Sequence, residues 1–279
     1  MKTFYSSLLI FIISTNTLFS QDTLQLKNID AILYTGNAKK QPLVVGLGGS
    51  EGGNAWATKR WQQIRNQFIE KGYAFLAVGY FNTSNSPKLL EKIALEDVHN
   101  AILQATKNKK VDKKKIAIIG GSRGADLALL LGSYYRDIDC VISLSGSHAV
   151  FPGNTTHFTT SSWTYKGQEL PFIPVNDDAI PFMLKRDLRS TFEAMLKDSL
   201  AEQKSLIKVE RINGPVLLLS GTKDEICPST TMSEKMIEKL KQHKFKYHFE
   251  HIAYDGGHSE PLKHFDKVFE FLAKYFMQE

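Results

Sequence analysis

A chain of 279 residues with 42% hydrophobic and 11% aromatic content can bury a full core as one domain. Its two cysteines exclude a disulfide framework, and neither has metal-ligand spacing. The formal net charge of +6 is modest, and the run Lys107 to Lys115 reads as a solvated loop entering a strand, not as a nucleic-acid stripe.

In chain order, residues 1–20 read as a signal peptide. Met1-Lys2 is the positive start, Leu8 to Ile13 the apolar core, and Leu18-Phe19-Ser20 the cleavage site before Gln21. The apolar core is too short to span a bilayer, so a periplasmic or secreted protein with no stable membrane span is expected. A retained anchor is the alternative. Residues 21–279 then alternate strand and helix. Strands are expected at 31–35, 43–48, 74–80, 115–120, 140–145, 215–220 and 246–253, and helices at 58–71, 88–107, 123–135, 230–242 and 261–276. In 88–107, Leu90, Ile93, Val98, Ala101, Ile102 and Ala105 recur on one face. This rhythm predicts an α/β fold, a mostly parallel sheet of about seven strands with helices on both faces. Residues 147–212 break it with four prolines and a scatter of aromatics. They leave a strand end and read as a cap insertion, the alternative being a packed surface excursion without a ligand role.

Chemistry concentrates where strands end. The β-branched run Ile116 to Ile119 stops at Gly120-Gly121-Ser122-Arg123-Gly124 and continues into an Ala/Leu-rich helix, the setting of a G-x-S-x-G nucleophile elbow. A serine at such a turn needs small neighbours two residues away on either side, here Gly120 and Gly124. A glycine-rich turn with Ser122 as a helix cap is the plainer alternative. After the strand 215–220 come Asp224 and Glu225, either of which can orient a base. Asp224 is preferred for its shorter side chain, with Ser229 read as the cap of the helix that follows. His258 lies on the glycine loop Asp255-Gly256-Gly257 after the last strand and completes a Ser122, Asp224, His258 order. Backbone N–H groups of Arg123 and of Ser50, in the loop Gly48-Gly49-Ser50-Glu51-Gly52-Gly53, are the expected oxyanion donors. A phosphate-cradling role for that loop lacks both G-x-G-x-x-G and a P-loop lysine. His251 and His248 read as structural, and His99 and His243 as surface residues. Cys140 and Cys227 fall at opposite ends of the sheet and are expected to be thiols.

The elbow Gly-Gly-Ser-Arg-Gly-Ala-Asp-Leu-Ala-Leu resembles that of the acyl-CoA thioesterase and bile acid-CoA:amino acid N-acyltransferase family, in its C-terminal catalytic domain. Ile93 to Asp97, Ser162 to Gly167 and Lys204 to Pro215 are similar too. The resemblance implies the α/β-hydrolase fold and triad roles for Ser122, Asp224 and His258; with the residues above it leads to the expectation of a small-molecule acyl ester or thioester substrate and no metal or other cofactor. Gly49, Glu51, His148, Trp163 and Tyr165 are the expected substrate contacts. The segment 21–30 is too short for the β-sandwich that precedes this domain in eukaryotic members. Members that transfer acyl groups to amino acids carry cysteine at the elbow. Serine here favours water as acceptor, hence hydrolysis, with acyl transfer to an amine or alcohol, or a non-catalytic binding protein, as alternatives.

Overall fold

The computed structural model describes residues 19–277. Its strands are β1 (Ser20–Leu24), β2 (Asp30–Thr35), β3 (Gln41–Leu47), β4 (Ala74–Gly79), β5 (Ile93–Ala94), β6 (Val111–Gly121), β7 (Cys140–Leu144), β8 (Trp163–Tyr165), β9 (Gln168–Glu169), β10 (Val216–Gly221) and β11 (Phe249–Tyr254). Helices are α1 (Gln62–Glu70), α2 (Leu95–Ala105), α3 (Arg123–Tyr134), α4 (Ile180–Leu184), α5 (Leu188–Met195), α6 (Ser199–Ser205), α7 (Ser229–Gln242) and α8 (Phe265–Phe271).

The main sheet has eight strands in the order β1-β2-β4-β3-β6-β7-β10-β11. From β4 to β11 all neighbours run parallel, while β2 is antiparallel to both β1 and β4. Strand β1 is the addition to the seven expected. Its middle residues Gln21, Asp22 and Thr23 are polar and exposed, so no hydrophobic period announces it. Of the expected signal segment, residues 1–18 lie outside the described residues, and Ser20 already pairs with Thr35.

Strands such as β4 and β10, apolar but for Ser220 of β10, are buried on both faces, as parallel strands must be. One face packs on α2, α3 and α7 through Val98, Leu127 and Met236; the other packs on α1 and α8 through Phe68 and Phe265. The helix expected over 88–107 begins only at Leu95. Ile93 and Ala94 are extended because they pair with Trp163 and Thr164 of the 147–212 segment. Leu90 is buried from a bend, and Lys92 adopts φ 51°. The last expected helix is likewise broken: Glu260–Lys263 form a tight turn at Pro261, α8 starts at Phe265, and Leu272–Phe276 widen into a π turn.

The inserted segment 147–212 carries β8, β9 and α4 to α6 and has its own small core. Ala149, Phe151, Ile173, Ala179, Ala194 and Met195 gather there with Cys227 and Met232. No helix among the described residues is long and apolar enough to cross a membrane.

Candidate active site

Ser122 sits between β6 and α3 with φ 53° and ψ −123°, a conformation L-residues adopt only under constraint. Its N–H donates to the Leu144 carbonyl at 2.8 Å, and its own carbonyl accepts from Ala125 at 2.8 Å. The flanking glycines are required by contact. A Cβ on Gly120 would lie 2.0 Å from the Gly124 carbonyl oxygen, and one on Gly124 would lie 2.2 Å from that of Gly48. The elbow therefore touches the 47–50 loop, which the buried Tyr80 hydroxyl holds by donating to the Gly48 carbonyl at 2.6 Å. A Cβ on Gly49 would stand 3.2 Å from that of Ser122, so Gly49 abuts the serine. Ser122 precedes the first turn of the twelve-residue α3, where unpaired N–H groups create positive potential.

His258 approaches from the loop after β11. Its Nε2 lies 2.9 Å from Ser122 Oγ, and its Nδ1 lies 2.8 Å from Asp224 Oδ2 and 3.0 Å from Oδ1. The loop is held at both polar ends of the His258 backbone. The N–H donates to Glu225 Oε2 at 2.9 Å, and the carbonyl accepts from Ser145 Oγ at 2.7 Å. Asp224 and Glu225, the two acids open to choice in the sequence, thus occupy different places: one meets the imidazole, the other its backbone.

Asp224 is buried, and its carboxylate accepts the N–H groups of Ile226 and Cys227 and the hydroxyl of Ser229. Ser229 therefore serves the acid rather than capping α7, whose N-cap is Pro228. Burial pushes the Asp224 carboxyl up, but the bonds from His258, Ser229 and Cys227 outweigh it and hold it below its ordinary value. Asp224, Cys227 and His258 are also the one group with metal-ligand spacing among the described residues. Burial and the adjacent Asp224 raise the Cys227 thiol well above its ordinary value, which keeps it neutral and a poor metal ligand. No disulfide joins Cys227 to Cys140.

Ser122 stands between two hollows. One, of about 640 Å³, lies under the inserted segment and is walled by Phe151, Val175, Met183, Phe192, Met195 and Ile226. The other, of about 380 Å³, holds Gly49, Glu51, Trp56, Arg60, Trp61 and His258. Ser50 borders both.

Three expected substrate contacts lie elsewhere. His148 is buried behind the segment, with Nε2 2.6 Å from Glu202, and burial lowers its affinity for a proton. Trp163 is fully buried against Tyr80, and Tyr165 packs on Tyr134. Trp163 and Tyr165 thus anchor the segment, whereas its Phe151 and Phe192 line the hollow. His99 is also less exposed than expected, bonded to Asp137 at 2.9 Å and stacked on Tyr135.

The Arg123 side chain has a part that its place in the Gly-x-Ser-x-Gly turn does not announce. Its guanidinium is buried, donates to Asp126, to the Phe151 and Pro152 carbonyls and to Ser162, and lies over the Trp163 ring. Asp126 in turn accepts the N–H and hydroxyl of Ser147, both at 2.8 Å. The i,i+3 spacing of Arg123 and Asp126 on an otherwise apolar helix was the available signal.

Residues 93–261, more than half of the chain, match the family described as BAAT / acyl-CoA thioester hydrolase C terminal. The chain belongs to that family. Rat acyl-coenzyme A thioesterase 1 is 29% identical over 173 residues, 62% of this chain and 39% of the relative. Human mitochondrial acyl-coenzyme A thioesterase 2 is 29% identical over 175 residues, covering 62% and 34%. The chain therefore spans about two-fifths of the length of the curated relatives it matches. Among solved structures, an esterase of Pyrococcus furiosus superposes with TM-score 0.60 at 17% identity, covering 93% of this chain and 94% of its own. A Pyrococcus horikoshii acylaminoacyl peptidase gives 0.64 at 16% identity, covering 94% and 42%. The fold of this family member is that of the α/β-hydrolases.

Proposed function

We propose that the protein is an exported serine hydrolase that cleaves carboxylic ester or thioester bonds through an acyl-enzyme. The observation that carries this reading is the 2.9 Å approach of His258 Nε2 to Ser122 Oγ, with Nδ1 2.8 Å from Asp224. Membership of a thioester hydrolase family supports the same bond class.

In the first half-reaction Ser122 Oγ attacks the acyl carbon while its proton passes to His258 Nε2. Asp224 accepts from Nδ1–H, which fixes the tautomer and stabilises the imidazolium. The oxyanion lies toward the N–H groups of Arg123 and Ser50, a contribution of about 3 kcal/mol per donor in comparable sites. Collapse expels the alcohol or thiol, which takes the proton from Nε2. Water then repeats the sequence on the acyl-serine and releases the acid. The apolar hollow suits the acyl chain, and the hollow containing His258 suits the leaving group, because the departing atom must meet Nε2.

A fluorophosphonate probe is expected to label Ser122, and Ser122→Ala is expected to lower ester and thioester turnover by at least about four orders of magnitude with an unchanged fold. Turnover retained in that variant would remove the proposal. Export is tested separately, by the N-terminal sequence of the chain recovered from periplasm or medium, with Gln21 expected first.

A further inference from the structure

Half of the exposed large apolar side chains among the described residues fall in one stretch of nine: Ile180, Phe182, Leu184 and Leu188, with Leu184 77% exposed. Scattered single exposures are ordinary; this concentration is not. Met183, on the same short helix, lines the 640 Å³ hollow beside Ser122. Helix α4 is therefore apolar on its inner and outer sides, a pattern that belongs to helices covered on both. Leu188 and Leu89 lie in the wall of the hollow and are also 41% and 50% exposed, so the outer patch and the hollow form one continuous apolar surface.

Positive charge borders it. Lys185 and Arg186 follow Leu184 and are exposed, and Lys88 precedes Leu89. Two of the three nearby acids are engaged: Asp187 caps α5 by accepting the Ser190 N–H, and Asp178 lies 3.8 Å from Lys197. Asp177 is exposed at the far end of α4. A twofold contact between copies through this patch would bring Lys185 and Arg186 toward their own counterparts, which like-charge repulsion opposes. An anionic lipid surface matches both the apolar centre and the cationic rim.

We propose that α4 and the start of α5 dock on an anionic phospholipid surface, and that acyl chains enter the hollow beside Ser122 directly from it. The second half rests on the hydrolase reading above; the docking does not.

The test is flotation of the full chain carrying Ser122→Ala, so that no lipid is consumed, with vesicles of phosphatidylcholine alone or mixed with phosphatidylglycerol. Binding is expected with the mixed vesicles, reduced roughly tenfold or more by Leu184→Asp or Phe182→Asp, and weakened on them by Lys185→Glu with Arg186→Glu. Neither Leu184 nor Phe182 borders the hollow, so with Ser122 present the Leu184→Asp protein is expected to hydrolyse a soluble short-chain ester at the unaltered rate. No flotation of the parent, or equal flotation of the apolar variants, would overturn the docking. So would light scattering that finds a dimer split by Leu184→Asp, since the face would then join two copies. Flotation that obeys these expectations while no ester is cleaved would leave the docking standing and remove the hydrolase reading.

Discussion

On the proposed mechanism, Asp224 serves both chemistry and stability. Its carboxylate is saturated by His258, Ser229, Ile226 and Cys227, and its backbone carbonyl accepts from Arg189 of α5 at 2.7 Å. Asp224→Asn keeps the volume but offers an N–H where the imidazole needs an acceptor. Turnover is expected to fall by about 10³- to 10⁴-fold, read as kcat on a p-nitrophenyl ester. The depressed pKa also fixes the sign of an acid effect. A carboxyl held below its unfolded value contributes stability that is present above the ordinary range and lost as pH falls through the folded value. Urea midpoints followed downward from neutral pH should therefore drop more steeply for the parent than for Asp224→Asn below about pH 4. A parallel decline in both proteins would deny Asp224 this role.

At the scale of elements, the elbow helix and the inserted segment are joined by a buried ion pair. Arg123 and Asp126 belong to α3, but their remaining bonds reach Ser147, Phe151, Pro152 and Ser162. Burial raises the Asp126 carboxyl, against the pull of Arg123 and the Ser147 bonds, so the pair holds its charges at a desolvation cost. Removing one partner leaves the other charge stranded. Arg123→Met is expected to cost about 3–5 kcal/mol in urea unfolding, and a double variant with Asp126→Leu to recover part of that loss. A double variant no more stable than Arg123→Met alone would mean that the pair does not act as a unit. The i,i+3 spacing of two charges on a mostly apolar helix hints at the pair, but its partners Ser147, Phe151, Pro152 and Ser162 lie in a stretch without a period and were illegible. Strands β3, β4, β6, β7 and β10 were legible for the opposite reason. Burial on both faces demands continuous apolar runs, and glycine ends each run where a loop must turn back over the sheet. Ser122 and Asp224 lie just past two such strands, β6 and β10; His258 follows the half-exposed β11, and only its glycine loop and its place in the chain order mark it. His148, Trp163 and Tyr165 were misplaced because a proline-rich insertion has no period from which to tell inside from outside.

Across the whole molecule, the sheet brings the ends of β6, β10 and β11 together, and Phe151, Val175, Met183, Phe192 and Met195 of the 147–212 segment wall one of the two hollows at Ser122 as a roof. The roofed hollow is bounded by Phe151 and Phe192, whose rings meet edge to face at 4.6 Å. Phe192 comes from α5 and is half-buried, so its truncation opens the hollow without removing a fully packed core side chain. If the acyl chain lies there, Phe192→Ala should shift the preferred ester toward longer acyl groups, and Phe192→Trp toward shorter ones. Each methylene gained or refused is worth about 0.8 kcal/mol, roughly fourfold in kcat/KM. The measurement is kcat/KM along a series of p-nitrophenyl esters of increasing acyl length, compared with a series of acetate esters of varied alcohols. On the proposed mechanism the acyl series should move and the alcohol series stay put, the leaving group meeting His258 in the hollow lined by Trp56 and Trp61. The reverse pattern would exchange the two hollows, placing the acyl chain against the tryptophans and the leaving group under the roof.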